Sequence, residues 1–169
     1  MIKLTPNGIK LLKIFHYSAV SCWFGSAVVL MIFNINNTAA VSEGMLLGIN
    51  TALYLADLWV LIPGALGCLV TGFVFALFTP WGFFRHRWLT CKWLLTVVCI
   101  LIGAFVLGAW EEEMFIISRT LGNAALADSS YLAAKTKHML VCGAQVSALL
   151  LMIGISVYRP WSRKTNVKR

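Results

Sequence analysis

The chain has 169 residues, of which 60% are hydrophobic and 12% are charged, and its mean hydropathy is +0.83. Soluble domains carry about twice that share of charged residues on average. The composition therefore excludes an ordinary soluble domain, and it equally excludes a disordered chain. The formal net charge of +8 is compatible with nucleic-acid binding, but its distribution along the chain favours membrane topology instead.

Four stretches of the chain are long and apolar enough to cross a membrane, which takes about 20 residues per helix. They cover residues 11–33, 53–78, 88–110 and 139–158. The first stretch is not typical of a cleaved signal peptide, because its apolar run is too long and no clear small-residue cleavage site follows it. The sequence therefore predicts an all-α fold with a single transmembrane domain, an up-down-up-down four-helix bundle.

Positive charge concentrates at one set of the predicted helix ends. Eleven of the fourteen cations flank this set, whereas all six acidic residues lie at or near the other set. The eleven are Lys3, Lys10, Lys13, Arg85, Arg87, Lys92, Arg159, Arg163, Lys164, Lys168 and Arg169. The positive-inside rule then puts both termini in the cytoplasm, with part of the charge facing anionic lipid headgroups. On this interpretation nucleic acid is not a partner.

The connections between the predicted spans differ in composition. Residues 34–50 are polar and free of cations, which favours a loop outside the membrane. The segment 114–126 has a helical composition, so the third helix is expected to project beyond the bilayer. The run Glu111-Glu112-Glu113 favours a solvated face at the interface over a cation site.

Small residues recur in every predicted span, and they allow membrane helices to approach closely. The second span carries Gly64, Gly67 and Gly72. Two interpretations stay open, namely close helix packing and room for a flat cofactor between helices. The five cysteines are interpreted as packing residues, because each falls in or beside a span and no CxxC pair is present.

The three histidines are His16, His86 and His138. Each is a candidate haem ligand, because ionisable groups inside a bilayer are costly and a neutral imidazole is a common axial ligand of haem iron. His16 is the leading candidate, with an interfacial aromatic-belt residue as the alternative. His86 lies between two arginines, which also fits a loop residue facing lipid headgroups. His138 follows two lysines at the predicted outer side, which also fits an interfacial residue.

Lys92 is the only charged residue within the third predicted span, about 9 Å deeper than His86 at the helical rise per residue. Its ammonium group can extend back to the interface, or it can reach a buried anion such as a haem propionate. Arg85 and Arg87 are further candidates for pairing with propionates.

The predicted depths limit how the histidines can share iron. His16 and His86 lie on the same side and could ligate one haem, whereas His138 lies at the opposite end of a ~30 Å apolar span. A second site at His138 would need a five-coordinate iron or a methionine partner, for which the candidates are Met45, Met114 and Met139. The number of haems, one or two, therefore stays open.

Several motifs resemble those of a family of small bacterial four-span membrane proteins. Its central signature is similar to Thr71-Gly72, the segment TPWGFFRHRW at 79–88, Lys92 and Thr96. Its first-helix motif is similar to His16 with Trp23 and Gly25, and its last-helix motif to His138 followed by SVYRPW at 156–161. Two better-understood groups also look similar: haem-sensing membrane proteins (HsmA-like) and, through Trp88 to Lys92, the HemJ-type protoporphyrinogen oxidase.

The resemblance implies b-type haem in a membrane four-helix bundle of the bacterial cytoplasmic membrane. The first hypothesis is a haem b-binding protein that sequesters haem or transfers electrons and protects against haem and oxidative stress. The second is an oxidoreductase acting on a porphyrinogen or quinone, with Lys92 placing an anionic substrate. A cofactor-free accessory subunit and, more distantly, a copper-handling protein are further alternatives. Membrane lipid is an expected partner, and a bundle of this size is compatible with a homodimer.

Overall fold

The computed structural model describes residues 4–37, 42, 44–79, 82–84 and 86–160. Regular secondary structure in these residues is entirely helical. Four helical segments among them are long and apolar enough to cross a membrane, as the sequence predicts. They are span 1 (Pro6–Asn36), span 2 (Met45–Phe78), span 3 (Arg87–Ala127) and span 4 (Ser129–Tyr158).

Spans 1 and 4 are single helices, α1 (Pro6–Asn36) and α6 (Ser129–Tyr158). Span 2 consists of α2 (Met45–Ala56), a π-helical turn (Asp57–Leu61) and α3 (Ile62–Phe78).

Span 3 consists of four consecutive segments. Helix α4 (Arg87–Ile102) leads into a second π-helical turn (Gly103–Leu107), and α5 (Gly108–Leu121) then leads into a 3₁₀ segment (Gly122–Ala127). The π-helical turns of spans 2 and 3 are local widenings of the backbone, and such widenings are frequent at functional sites.

Spans 1 and 4 begin earlier than the apolar runs that predicted them, and a polar side chain caps the first turn of each. The Thr5 hydroxyl accepts a hydrogen bond from the Gly8 backbone N–H at 3.2 Å. The Asp128 carboxylate accepts one from the Tyr131 backbone N–H at 2.9 Å. Span 4 therefore begins at Ser129 rather than at 139, whereas its end at Tyr158 agrees with the prediction.

Spans 1 and 2 form the closest helix contact described here. The Leu4 backbone N–H donates to the Phe78 carbonyl oxygen at 3.4 Å, and further along α1 a Cβ built on Gly67 would lie 3.0 Å from Ala19 Cβ. The packing interpretation is therefore confirmed at Gly67, where the absence of a side chain lets two backbones approach.

The interior holds apolar residues from all four spans, such as Trp23, Leu53, Cys99 and Cys142. The outside is also apolar, with large side chains such as Trp59 and Phe105 more than two-thirds exposed. A surface of this kind is favourable against lipid and unfavourable against water. The described fold is therefore that of a multi-pass membrane protein.

The interpretation of residues 34–50 as a loop is wrong for 34–36 and 45–50, which are helical, whereas its location outside the membrane stays a prediction. Span 1 continues through Asn36, and span 2 already begins at Met45. Asn34, Asn37 and Asn50 are all fully buried and hydrogen-bonded to other side chains. Their polarity reflects internal hydrogen bonding and not contact with solvent.

Candidate functional site

A cavity of ≈ 320 Å³ lies among the four spans, bordered by the first half of span 1 and the last turns of span 4. We refer to it as the His16 cavity. Its volume is at the lower end of the range for small-molecule sites, about 300–1,000 Å³. Its walls are mainly apolar and aromatic, and the aromatic residues include Tyr17, Trp23, Phe24, Phe75, Trp88 and Trp93. Such walls suit a flat, largely apolar ligand.

His16 lines this cavity with its ring held from one side. Its Nδ1 lies 2.7 Å from the Thr71 hydroxyl oxygen, which in turn donates to the Gly67 carbonyl oxygen at 2.6 Å. Because the Thr71 proton is used in that bond, the hydroxyl oxygen accepts from His16 Nδ1–H. The ring is thereby held as the tautomer whose Nε2 carries a free lone pair, the arrangement common among metal-binding histidines.

Lys92 also lines the His16 cavity, within span 3. Its ammonium nitrogen lies 2.5 Å from the Ser156 hydroxyl oxygen, and that hydroxyl donates to the Met152 carbonyl oxygen at 2.7 Å. Ser156 is a neutral partner, and no carboxylate forms an ion pair with Lys92 among the described residues. A largely buried cation without an anionic partner favours an anionic ligand.

Two more cations border the same cavity. Lys13 reaches it from span 1, and Arg159 reaches it from just beyond span 4. The Arg159 guanidinium carbon lies 6.0 Å from the centroid of a Trp88 ring, a cation–π distance. Acidic residues are absent from the described lining of the cavity, so its electrostatic potential favours anions.

The structure brings together only part of the predicted site. His16 and Lys92 line one cavity, whereas Arg87 is exposed and His86 lies outside the described lining. The backbone of His86 begins α4, and its ring centroid is 6.2 Å from that of Trp88. His86 therefore lies beside Trp88, a residue of the cavity wall, and is not itself part of the described lining. Arg85 lies outside the described residues.

His138 is fully buried and has both ring nitrogens in hydrogen bonds. Its Nδ1 lies 2.7 Å from the Asn34 amide nitrogen, and its Nε2 lies 2.8 Å from Glu111 Oε1. Binding to iron would require one of these bonds to break. Of the three methionines considered as partners, Met114 is buried, whereas Met45 and Met139 are exposed.

The interpretation of the acidic run as a solvated face is wrong for its first residue. Glu111 is only 3% exposed and contacts His138, whereas Glu112 and Glu113 are exposed. The three residues point in different directions because consecutive positions on a helix are about 100° apart. The sequence does not show which face of this helix packs against the other spans, and that packing is what identifies Glu111 as the buried residue.

A second polar cluster was missed entirely by the sequence interpretation. The Tyr131 hydroxyl oxygen lies 2.7 Å from the Asn37 amide nitrogen and 3.1 Å from that of Asn50. All three side chains are at most 1% exposed. The concentration of asparagines near the end of span 1 was the available signal, since buried amides require partners.

Two other residues at the His16 cavity, Thr71 and Gly72, were not among the site residues predicted from the sequence, although they belong to the motif that resembles the family signature. Thr71 orients His16, and Gly72 lines the cavity, with its virtual Cβ 3.7 Å from the Trp93 ring. Gly67 serves packing, whereas the interpretation that glycines leave room for a flat cofactor stays a prediction. The described residues contain no group of three or more His, Cys, Asp or Glu side chains arranged for a metal ion.

Comparisons with family models, curated proteins and solved structures find no match for this chain. The resemblance to haem-sensing membrane proteins and to the protoporphyrinogen oxidase type is therefore carried by the quoted motifs alone, and it stays a prediction.

Proposed function

We propose that this chain is a membrane protein that binds haem b in the His16 cavity. His16 Nε2 would ligate the iron, and Lys92, Lys13 and Arg159 would pair with the propionates. The observation that carries this proposal is the combination, in one aromatic-walled cavity, of an oriented imidazole with a largely buried ammonium group that has no carboxylate partner among the described residues. A group that is flat, apolar and doubly anionic matches all three properties.

The donor set limits how haem would be held. One histidine lines the cavity, so a single protein ligand fits a five-coordinate iron or one with an exchangeable sixth ligand. The described lining also contains Tyr17, Cys68 and Met152, whose side chains are of types that ligate haem iron in other proteins, and the Met152 sulfur lies 3.5 Å from the Thr96 hydroxyl. When bound, haem would supply one-electron chemistry, which is consistent with sequestering haem or transferring electrons.

The membrane topology is part of the same proposal. The side-chain pairs Lys92–Ser156 and Glu111–His138 run in opposite order along spans 3 and 4, which supports an up-down-up-down bundle. The charge asymmetry of the sequence supports cytoplasmic termini and the bacterial cytoplasmic membrane as location. The His16 cavity would then lie in the cytoplasmic half of the bilayer.

The test is haem titration of the detergent-purified full chain, followed by oxidised and dithionite-reduced spectra. We expect stoichiometric binding to the wild type and to His86→Ala, the matched control whose ring lies outside the cavity lining. His16→Ala should lose most of the bound haem while keeping its thermal unfolding profile. Wild-type haem content in purified His16→Ala would contradict the assignment.

His138→Ala separates the His16 site from an outer site. Haem content should persist in this variant when its folding is retained, because the His138 nitrogens are committed to Asn34 and Glu111. Loss of one of two bound haems in this variant, with folding intact, would establish a second site. A colourless protein that also fails to take up haemin would instead favour the accessory-subunit alternative.

A membrane oxidoreductase of the protoporphyrinogen oxidase type is the second candidate. The Lys92 ammonium, which has no carboxylate partner among the described residues, also favours it, since a porphyrinogen carries the same propionates as haem. The two candidates differ in turnover. Oxidation of a porphyrinogen with a membrane electron acceptor, lost in Lys92→Met, would favour the enzyme, whereas haem binding without turnover would favour the first proposal.

A further inference from the structure

Met152 is a buried methionine of the His16 cavity that the sequence interpretation did not consider. It belongs to span 4, lines the cavity and is only 6% exposed. A thioether sulfur is a ligand of haem iron in proteins where histidine supplies the other axial ligand. The question is therefore whether Met152 lies where a second axial ligand has to lie. The inference below rests on the haem site proposed above.

Two side-chain contacts fix how spans 1 and 4 lie against each other. The Asn34 amide nitrogen lies 2.7 Å from His138 Nδ1, and the Cys142 sulfur lies 3.7 Å from the Ala27 carbonyl oxygen. Between the two contacts the residue number falls along span 1 and rises along span 4. Because both elements are continuous α-helices with the same rise per residue, the depth of other residues follows by counting.

This count places His16 close to the depth of Met152. His16 lies eleven residues before the span 1 partner in one contact and eighteen before that in the other. Equal steps onward along span 4 lead to positions 153 and 156. Met152 precedes the nearer of these positions by one residue, which is about 1.5 Å along the helix axis. The two side chains therefore border the cavity at nearly the same depth from two different spans.

The orientation of the His16 ring determines where the second ligand has to come from. Thr71 of span 2 holds Nδ1 at 2.7 Å. Nε2 lies on the other edge of the ring and points away from Thr71. An iron atom bound to Nε2 would carry its second axial ligand on its far side, opposite the imidazole. That ligand therefore has to come from a wall of the cavity other than the one around Thr71.

The two other ligating side chains of the described lining do not meet this condition. Tyr17 follows His16 directly on the same helix, and it is 64% exposed. Cys68 lies three residues before Thr71 on span 2, about 4.5 Å along the helix axis, and so belongs to the wall that holds the imidazole. Met152 comes from span 4 and meets the condition.

The sulfur of Met152 is held in place by span 3. The Thr96 hydroxyl, which also lines the cavity, donates a hydrogen bond to Met152 Sδ at 3.5 Å. A methionine side chain is otherwise flexible, so this contact reduces the entropy that would be lost on binding a metal. A thioether sulfur has two lone pairs, and the second one stays available for iron.

We propose that Met152 Sδ is the second axial ligand of a haem iron held by His16 Nε2. The iron would then be six-coordinate, with no open position for an added ligand. Methionine paired with histidine raises the reduction potential of haem iron. Within the function proposed above, this coordination favours electron transfer over reactions that need an open position on the iron.

The experiment compares haem-loaded wild type, Met152→Leu and Met152→His in detergent, by absorption and magnetic circular dichroism spectra and by redox titration. Wild type should be low-spin, with the weak far-red band of methionine bound to ferric haem. Met152→Leu conserves volume, so it should keep the haem content while losing this band, becoming high-spin and shifting to a lower potential. Met152→His should stay low-spin, also at a lower potential, because imidazole replaces the thioether.

Met139→Leu is the matched control, since Met139 lies on the same helix but outside the described cavity lining. It should leave the haem content, the spectra and the potential unchanged. If Met152→Leu does not fold, the wild-type band and the spin state of Met152→His carry the test.

The outcomes separate this inference from the haem site on which it rests. Full haem content in Met152→Leu with a wild-type spectrum and potential would overturn the assignment of Met152 and leave haem binding at His16 in place. A high-spin Met152→His protein would also overturn it, because position 152 would then be out of reach of the iron. A wild-type protein that binds no haem would overturn both proposals.

Discussion

Gly64 packs so closely against Trp23 that a Cβ built on the glycine would lie 2.7 Å from the Trp23 backbone nitrogen. It would also lie 3.1 Å from the Ala19 carbonyl oxygen. Both neighbours are backbone atoms, which cannot rotate aside as a flexible side chain can. Gly64 therefore fixes the spacing of spans 1 and 2 beside Trp23, which lines the His16 cavity.

Gly64→Ala is expected to lower the free energy of unfolding by about 1–3 kcal/mol, because the added methyl group forces the two helices apart. Thermal unfolding in detergent measures the effect. Gly143→Ala is the matched control, since a Cβ there meets nothing within 4 Å and alanine is the better helix former. Equal stability of the two variants would contradict the close contact.

Thr71→Val should weaken haem binding about 10–100-fold, the usual effect of removing a hydrogen bond that orients a metal-binding histidine. The valine keeps the shape of threonine but cannot accept from His16 Nδ1–H. Haem titration with absorbance detection gives the dissociation constant. Thr51→Val serves as control, because that hydroxyl also donates one turn back, to Leu47, yet contacts no histidine. An unchanged dissociation constant in Thr71→Val would argue against the tautomer assigned to His16.

Lys92→Met should reduce affinity for haem and for other anionic porphyrins by about 10–100-fold, since hydrogen bonds to charged groups contribute about 1.5–3 kcal/mol. Lys92→Arg should retain much of the affinity through its charge. Lys137→Met is the control, because that lysine is exposed and lies outside the described cavity lining. Comparing haem with an uncharged porphyrin ester tests the cause, since the ester should bind wild type and Lys92→Met alike.

Tyr131→Phe should lower stability by about 1–3 kcal/mol, because it leaves the buried amides of Asn37 and Asn50 without their shared partner. Tyr158→Phe is the control on the same helix, with a ring that is 86% exposed. Haem binding should be unaffected in both variants, since neither residue lines the His16 cavity in the described structure. A Tyr131→Phe protein as stable as wild type would show that water replaces the hydroxyl.

The membrane spans and the choice of His16 and Lys92 as candidate site residues were accessible from sequence for one physical reason. Both follow from the cost of placing polar groups in lipid, which depends only on the type of residue and its position in an apolar run. The partners of these groups do not follow from that cost. Thr71, Ser156 and Asn34 lie 55, 64 and 104 positions from the side chains that they contact, and only tertiary packing brings them together.

The lengths predicted for spans 1 and 4 were too short, also because of what hydropathy measures. Hydropathy measures the length of the apolar run. The helix itself begins at its N-cap residue, which is Thr5 in span 1 and Asp128 in span 4. The π-helical turns could not be predicted from the sequence, for a different reason. Nothing in the composition of residues 57–61 or 103–107 distinguishes them from α-helix, and only the neighbouring helices decide the local winding.

These wide turns affect how this chain can be compared with its relatives. A π-helical turn holds one residue more than the α-turn that it replaces. A relative without the wide turns at Asp57–Leu61 and Gly103–Leu107 would be one residue shorter in each of these two spans. A correct alignment would then open a gap in the middle of a membrane helix, where gaps are ordinarily avoided. An ungapped alignment would instead match the residues that follow each wide turn to positions one residue away from their true counterparts.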